Sequence, residues 1–480
     1  MQLCLVGIDK AFFMVDVRKK KGMVSIMKLA FKVDDRPSFG QTIIFALQQL
    51  LAILAATIAV PSIVGNGMSQ SAALFGAGVG TIVYLLFTKF KSPVFLGSSF
   101  AFLPSMFAAF GGAVSVSVGY LGLIIGAVFA GLVYVIIAVV VKLAGVKWID
   151  KLMPAAVIGP TVAIIGLSLA GNAVRDAMGT SAGFTVFDAD NSYFIMGAKG
   201  WICLICALVT LAVVMLCSVY GKKMMKLIPF IIGIAAGYIV AAIFTVIGNA
   251  TNNEILQIID FSKFQNMAWM PSFAFIEAFK GFGSLTGEYI ATLAVAYVPV
   301  AFVVFAEHLA DHKNLSSIID SDLLKSPGLS RTLLGDGVGS MAGAFFGGCP
   351  NTTYGESIGC VAITGNASVI TILVTSLLAI ISSFFAPFVT LLATIPSCVM
   401  GGVCIALYGF IAVSGLKMIQ KVDLNDNKNL FVVSVILIAG IGGMALKIGP
   451  VVITEVACAL ILGILTNLML TKRAEKKAAK

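Results

Sequence analysis

Phe346 to Gly365 reads FGGCPNTTYGESIGCVAITG and interrupts a chain that otherwise consists of long apolar segments. This stretch contains glycines, a proline, small hydroxyl residues and one carboxylate, Glu356. An unpaired backbone amide or a lone acid is costly in hydrocarbon, so such a stretch is tolerated only where it lines a cavity walled by protein. A helix that begins near Tyr354 would direct its free N–H groups, and the positive end of its dipole, into that cavity. The stretch therefore predicts a ligand site, with Glu356 in the first helical turn.

The composition places most of the chain in a membrane. Of its 480 residues, 59% are hydrophobic and 11% are charged, and the mean hydropathy is +1.04. A soluble domain of this length does not need so much apolar surface. The net charge of +10 does not indicate a nucleic-acid partner, because the basic residues form short tracts between apolar spans, as in cytoplasmic loops. We therefore expect an all-α polytopic membrane protein.

Apolar runs of about 20 residues predict fourteen transmembrane segments. The first seven are 40–64, 71–89, 94–111, 116–141, 152–171, 201–220 and 227–248. The second seven are 287–310, 333–348, 350–365, 367–390, 396–418, 429–446 and 450–471. Basic clusters such as Lys313 to Arg331 then fall on one side, which predicts that both termini are cytoplasmic.

The two halves show a weak internal repeat. Ser92 to Phe102 (SPVFLGSSFAF) and Cys349 to Gly359 (CPNTTYGESIG) are both broken, proline-containing pieces, each in the third segment of its half. Seven spans per half imply inverted topology, and broken segments at matching positions indicate a binding site at the bilayer midplane. The predicted organisation is a cytoplasmic segment 1–38, a first repeat 39–248, an extracellular connection 249–286, a second repeat 287–471 and a basic cytoplasmic tail 472–480.

Glu307 is a second candidate acid, at the end of the apolar run Tyr297 to Ala306. Acids within spans are rare and normally face a partner, a cavity or an ion path. Burial favours the protonated form of a carboxyl, so Glu307 is a candidate proton carrier. The alternative places Glu307 at the membrane edge, paired with Lys313. For Glu356 the alternative is a structural cap that satisfies backbone N–H groups of its own loop.

Asp311 lies four positions after Glu307 and therefore on the same helical face. It either couples to Glu307 or meets water at the inner mouth. His308 and His312 either relay protons or are neutral interfacial residues. We expect no metal site, because neither these histidines nor the mid-span CxxC of Cys203 and Cys206 has the further ligands that a metal needs.

Negative findings leave a secondary transporter as the expected class. The sequence has no phosphate-binding loop of an ATP-driven motor, no arginine series of a voltage sensor and no potassium-filter motif. The sequence shows no nucleophile–base pair that would indicate an enzyme. No span has the continuous polar stripe of a channel.

Glu356 to Gly365 (ESIGCVAITG) resembles the signature of the nucleobase–ascorbate transporters, the nucleobase:cation symporter-2 family. That signature is Gln, Glu or Pro, then Asn-x-Gly-x-x-x-x-Thr, then Arg, Lys or Gly. PNTTYG before it, FAEH at Phe305 to His308 and FLGSSFAF at Phe95 to Phe102 are similar to the uracil-type members. The similarity extends from about Phe39 to Leu470 and is carried by the combination of motifs.

The resemblance implies a core domain of spans one to four and eight to eleven, and a gate domain of the other spans. It implies short antiparallel strands near Val94–Gly97 and Asn351–Thr353. It also implies that Glu307 and Glu356 bind the base, with backbone groups of Phe100 and Gly355 adding contacts. Proton coupling would involve Glu307, with Asp311 and His308 as further candidates; sodium is not excluded as the coupling ion. No cofactor is implied, and the family suggests homodimers.

The chain departs from the family pattern at several positions. Ser357 stands where the signature has Asn, and Gly365 stands where many members have Arg. Asp311 replaces a frequent histidine, and Gln49 replaces the usual histidine of the first span. The expected function is uracil–proton symport across the plasma membrane. The alternatives are a xanthine or purine symporter of the same family and an uncoupled nucleobase facilitator or channel.

Overall fold

The computed structural model describes residues 29–145, 148, 152–188, 193–222, 224–265, 267–448 and 451–478. These residues are mainly helical. The first half contains α1 (Phe39–Val64), α2 (Gln70–Phe87), β1 (Leu96–Ser98), α3 (Leu103–Gly111), α4 (Val116–Ala144), α5 (Ala155–Ser168), α6 (Ala170–Ala177), β2 (Thr185–Asp188), β3 (Tyr193–Met196), α7 (Ala198–Tyr220), α8 (Met224–Leu227) and α9 (Pro229–Thr251). The second half contains α10 (Ala274–Phe279), α11 (Gly287–Ile319), α12 (Leu329–Gly347), β4 (Asn351–Thr353), α13 (Gly355–Thr364), α14 (Val369–Ser383), α15 (Ala386–Ala393), α16 (Ser397–Ile419), α17 (Asn427–Ile441), β5 (Leu446–Ile448), β6 (Val451–Ile453) and α18 (Glu455–Ala478).

Helical structure occupies each of the fourteen predicted ranges, but the number of membrane crossings stays a prediction. Among the described residues, eight helices are long and apolar enough to cross a bilayer, counting α5 and α6 as one. A ninth crossing results if α14 and α15, which meet at 81°, form one broken span. The other predicted segments are interrupted, shorter or less apolar, because they contain the proline, glycine and polar residues that break them.

The helices pack as two sets. In one set, α2 and α12 contact each other, α12 contacts α4, and α1 contacts α14. In the other set, α16 contacts α5, α6 and α7, α7 contacts α9, and α17 contacts α18. The helices of the two sets lie in the spans that the family resemblance assigns to the core and gate domains. The predicted domain boundaries stay predictions.

The contact of α2 with α12 depends on small residues. A Cβ atom at Gly76 would lie 2.4 Å from the carbonyl oxygen of Gly343, and one at Gly80 would lie 2.7 Å from that of Gly339. Small residues allow membrane helices to approach this closely. The side chain of Asn351 donates to the carbonyl of Gly76 at 3.1 Å, so the strand that follows α12 is attached to the same contact.

Residues 30–35 run along the chain that follows α13. The N–H of Ala30 donates to the carbonyl of Gly365 at 2.8 Å, and the N–H of Ala367 donates to that of Phe31 at 2.9 Å. Gly365 ends α13 with a φ of 68°, a conformation that favours glycine. Part of the segment 1–38, which the sequence predicts to be cytoplasmic, is therefore structured, and residues 1–28 lie outside the described residues.

The predicted pair of short strands is confirmed, with a correction to its position. β1 begins two residues later than predicted and pairs antiparallel with β4, matching Leu96 to Thr353, Gly97 to Thr352 and Ser98 to Asn351. The sequence did not predict the two additional hairpins, β2–β3 and β5–β6. Nor did it predict helix α10 within the connection 249–286.

Candidate functional site

The paired strands fix the positions of two helix starts. Ser99, after β1, donates its N–H to the carbonyl of Pro350 at 2.9 Å, and Tyr354, after β4, donates to the carbonyl of Phe95 at 3.2 Å. A 3-10 turn and α3 continue from β1, and α13 continues from β4. Because the strands are antiparallel, the helix starts lie at opposite ends of the pair and carry unpaired N–H groups toward it.

Tyr354 covers this strand pair. Its hydroxyl donates to the carbonyl of Ser98 at 2.7 Å. A Cβ atom at Gly97 would lie 2.3 Å from the Tyr354 ring, so only glycine allows the ring to lie there. Both strands are fully buried, and the pair therefore forms a fixed platform for the residues that follow it.

Glu356 lies in the first turn of α13, as the sequence predicts. Its side chain remains partly exposed, and Gly355 beside it is exposed, whereas Tyr354 and Ser357 are buried. The carboxylate accepts a hydrogen bond from its own backbone N–H. That bond belongs to the capping alternative, although part of the residue's surface stays exposed.

Glu307 and Asp311 project from α11, which contacts both β4 and α13. Asp311 accepts a hydrogen bond from the hydroxyl of Thr353 at 2.8 Å, which links α11 to β4. Asp311 is close enough to Glu307 and to Glu356, the two predicted base-binding acids, to interact electrostatically with each. Like Glu356, both acids of α11 are partly exposed. Helix α11 continues to Ile319, so Glu307 is not at a helix end, and the described ion pairs do not join it to Lys313.

His308 pairs with residues of a neighbouring helix. Its Nδ1 lies 2.6 Å from Oδ2 of Asp336, and its Nε2 lies 3.0 Å from the hydroxyl of Thr332. Both of these partners belong to α12. A cavity of about 10 Å³, lined in part by Asp336 and Tyr134, adjoins this pair and has room for about one water molecule. Oδ1 of Asp336 and the hydroxyl of Tyr134 have no protein partner among the described residues.

His312 extends the buried network toward α2. Its Nδ1 donates to the carbonyl of His308 at 2.8 Å, which leaves Nε2 as an acceptor when the ring is neutral. The hydroxyl of Tyr84 lies 2.7 Å from that Nε2 and 2.7 Å from the hydroxyl of Ser92. Each histidine is only 1% exposed, so both are buried within the protein.

The site thus contains two neighbouring polar groups. The partly exposed group contains Glu307, Asp311 and Glu356, and the buried group is centred on His308 and Asp336. Asp311 interacts electrostatically with Asp336, so the two groups are in electrostatic contact. The sequence predicts His308 as a partner of Glu307 and gives no role to Asp336. An acid within the glycine-rich range 333–348 was the signal that could have identified it.

Phe100 lies where the two helix sets meet. Its side chain is 9% exposed, and its ring makes an edge contact with Tyr408 of α16 at a centroid distance of 5.9 Å. Phe100 belongs to the turn after β1, so an aromatic surface lies beside one of the two helix starts.

Cys203 and Cys206 of the CxxC are buried free thiols within α7. In the part of the chain that the structure describes, no group of three or more His, Cys, Asp or Glu side chains is arranged to hold a metal ion.

Comparison with known proteins identifies the family of this chain. The sequence model Xan_ur_permease, described as a permease family, matches residues 40–449. The chain belongs to this permease family. The resemblance to the nucleobase:cation symporter-2 family is thereby confirmed, and the permease is a multi-pass membrane transport protein rather than an enzyme.

Curated relatives match the permease over nearly its whole length. The uracil permease of Bacillus caldolyticus is 39% identical over 452 residues, which cover 93% of this chain and 96% of the relative. The uracil permease of Bacillus subtilis (strain 168) is 36% identical, with 95% and 98% coverage. The uracil permease of Escherichia coli (strain K12) is 34% identical, with 91% and 92% coverage.

Solved structures of transporters share the fold of the permease. The transmembrane domain of the cyanobacterial bicarbonate transporter BicA matches with a TM-score of 0.61 and 15% identity, covering 91% of this chain and all of that domain. Murine Slc26a9, an anion transporter in the inward-facing state, matches with a TM-score of 0.62 and 13% identity, covering 96% and 74%. At these identities the likeness concerns the fold alone.

Proposed function

We propose that this permease takes up uracil by proton symport across the plasma membrane. The observation that carries the proposal is the group of three interacting, partly exposed acids, Glu307, Asp311 and Glu356, beside the start of α13. The names of the relatives support the substrate, since three of the most similar are uracil permeases.

The chemistry of uracil suits this group. The base presents ring N–H donors beside carbonyl acceptors. Carboxylates of Glu307 and Glu356 accept from the N–H groups, while free backbone N–H groups near Gly355 and Phe100 donate to the carbonyls. The Phe100 ring supplies an apolar surface for the face of the base. No cofactor is required.

Proton coupling follows from the proximity of the acids. Close carboxylates repel one another when ionised, and a proton on one of them relieves the repulsion. Glu307 is the proposed carrier, because it belongs to the partly exposed group of acids and lies on α11, the helix that also carries the buried histidines. Asp311 links it to Glu356, and His308 acts through Asp336 rather than by direct contact with Glu307.

The proposed architecture has fourteen spans in two inverted repeats of seven, with both termini in the cytoplasm. The matched breaks at β1 and β4 support the repeat, and the basic loops support the orientation. Alternating access would move the core set of helices against the gate set, which meet at Phe100 and Tyr408. A homodimer is proposed from the family resemblance alone.

Uptake of labelled uracil into proteoliposomes tests the proposal. We expect accumulation when an inward proton gradient is imposed, and only equilibration without it. Replacing sodium with choline should leave accumulation unchanged. Accumulation that follows a sodium gradient would show that sodium, rather than the proton, is the coupling ion. Preferential uptake of xanthine would favour the purine alternative, and equilibration under every gradient would indicate a facilitator.

A further inference from the structure

The hydroxyl oxygen of Ser357 joins three segments of the chain. It accepts the backbone N–H of Phe95 at 2.9 Å and the side-chain amide of Gln49. Gln49 lies on α1, Phe95 immediately precedes β1, and Ser357 follows Glu356 in α13. Gln49 is 2% exposed and Ser357 is fully buried, so water does not compete for these bonds. A buried donor without its partner would cost free energy, which makes the two bonds interdependent.

Two departures from the family pattern are therefore in contact. Gln49 stands at the usual histidine of the first span, and Ser357 stands at the signature Asn. They are 308 positions apart in the sequence, but their side chains are hydrogen-bonded in the structure. The long side chain of Gln49 reaches the short side chain of Ser357, so the two side-chain lengths together span the distance between α1 and α13.

We propose that Gln49 and Ser357 form a coupled positioning pair that orients Glu356 for base recognition. The inference rests on the proposed function of Glu356. Phe95 binds on both sides of Glu356, because its carbonyl accepts from Tyr354 and its N–H donates to Ser357. Gln49 holds the second of these anchors from α1. The Glu356 backbone is thus fixed between two buried attachments, and its carboxylate takes its direction from them.

A positioning pair has a specific energetic signature. Removing either partner releases the same attachment, so the second removal adds little to the first. Misplacing a recognition group by a fraction of an ångström weakens binding without unfolding the protein. We therefore expect Gln49→Ala and Ser357→Ala each to raise the KM for uracil about tenfold, which corresponds to roughly 1.4 kcal/mol. The double variant should show the same increase as either single variant.

The test uses the full-length permease in proteoliposomes, with KM and maximal rate measured for each variant and for Gln49→Ala/Ser357→Ala. Ser376→Ala is the matched control, because this buried hydroxyl bonds only within its own helix, to Ile372 at 2.9 Å. Its KM should equal that of the unmodified chain. Single variants with unchanged KM, or a double variant whose increase is the product of the two, would overturn the pair.

Replacement toward the family pattern provides a rescue. Gln49→His and Ser357→Asn should each raise the KM, whereas Gln49→His/Ser357→Asn should return it to within about threefold of the original, since coupled sites compensate. If the KM of the double variant is as high as the higher of the two single-variant values, the coupling is contradicted. If Ser357→Ala does not fold, Gln49→Met removes the donor at similar volume and is compared with Gln49→Met/Ser357→Asn.

Thermal unfolding without uracil separates this inference from the proposed function. The unfolding temperatures of the single and double alanine variants should be non-additive whatever the substrate is. If the unmodified chain neither transports uracil nor is stabilised by it, the proposed function fails while the contact can still be confirmed. Additive unfolding shifts in a chain that does transport uracil would reject the pair alone.

Discussion

Nδ1 of His308 lies 2.6 Å from Oδ2 of Asp336, and their side chains are 0% and 1% exposed. This pair joins α11, which carries Glu307, to α12, which leads into β4. The two helices flank the strand pair, so the His308–Asp336 bond fixes the helix of one base-binding candidate relative to the segment that carries the other.

Asp336→Asn should destabilise the permease by about 1–3 kcal/mol, because the amide must place two donors where the carboxylate supplied only acceptors. Thermal unfolding of purified protein measures the loss. Asp322→Asn is the control, since Asp322 is exposed and its pairing with Lys325 is a surface ion pair worth at most about 1 kcal/mol. Equal shifts in the two variants would contradict a structural role for the buried pair.

Hydropathy and the broken segments predict much of this fold. Helices occupy the fourteen predicted ranges, and the strands at Leu96–Ser98 and Asn351–Thr353 pair as expected, since a proline and small residues precede each half-helix. The sequence did not predict the hairpins β2–β3 and β5–β6, because their residues are too few to give a clear alternation against an apolar background.

The sequence identifies candidate site residues but not the partners of their side chains. Glu307 and Glu356 are conspicuous because acids are rare in apolar spans. Which partner each polar group chooses depends on contacts between distant segments, such as His308 with Asp336 and Gln49 with Ser357. Local periodicity carries no information about such contacts, so the sequence associates His308 with its neighbour Glu307 instead.

Glu277 of α10, outside the spans, should make stability depend on acid pH. The ammonium of Lys280, 2.6 Å away, and the hydroxyl of Ser117 hold the pKa of Glu277 below its ordinary value. A lowered pKa stabilises the fold above the ordinary value, about 4.3, and this contribution is lost as pH falls through the lowered pKa. The unfolding-temperature difference between the unmodified chain and Glu277→Gln should be constant above about pH 5 and shrink below it. A difference that grows on acidification would contradict the pairing.

Thiol labelling should locate the loops. Ser321 and Ser284 are exposed and lie on opposite sides of the predicted membrane. The described cysteines are buried, so background labelling is low once Cys4 is replaced. Ser321→Cys should resist an impermeant reagent in intact cells and react in inverted vesicles, and Ser284→Cys should do the reverse. Labelling of Ser321→Cys from outside would invert the proposed topology.

Glu356→Gln should weaken uracil binding about ten- to a hundredfold. The amide oxygen is a poorer acceptor than a carboxylate, and losing a charged hydrogen bond costs roughly 1.5–3 kcal/mol. Equilibrium binding to purified protein measures the effect, with Glu288→Gln as the control because Glu288 lies in the exposed first turn of α11. Unchanged affinity in Glu356→Gln would leave the residue only its capping role.

Glu307→Gln should abolish uracil accumulation driven by a proton gradient. A carrier coupled through one acid returns empty only in the charge state that this acid permits, and glutamine has a single state. Exchange of internal for external uracil should persist in part, since exchange needs no net proton movement. Both rates are measured in the same proteoliposomes, so loss of exchange as well would indicate lost binding rather than lost coupling. If Glu307→Gln still concentrates uracil under an inward proton gradient, the proton is carried elsewhere. Asp311, which interacts with both Glu307 and Glu356, is then the next acid to replace.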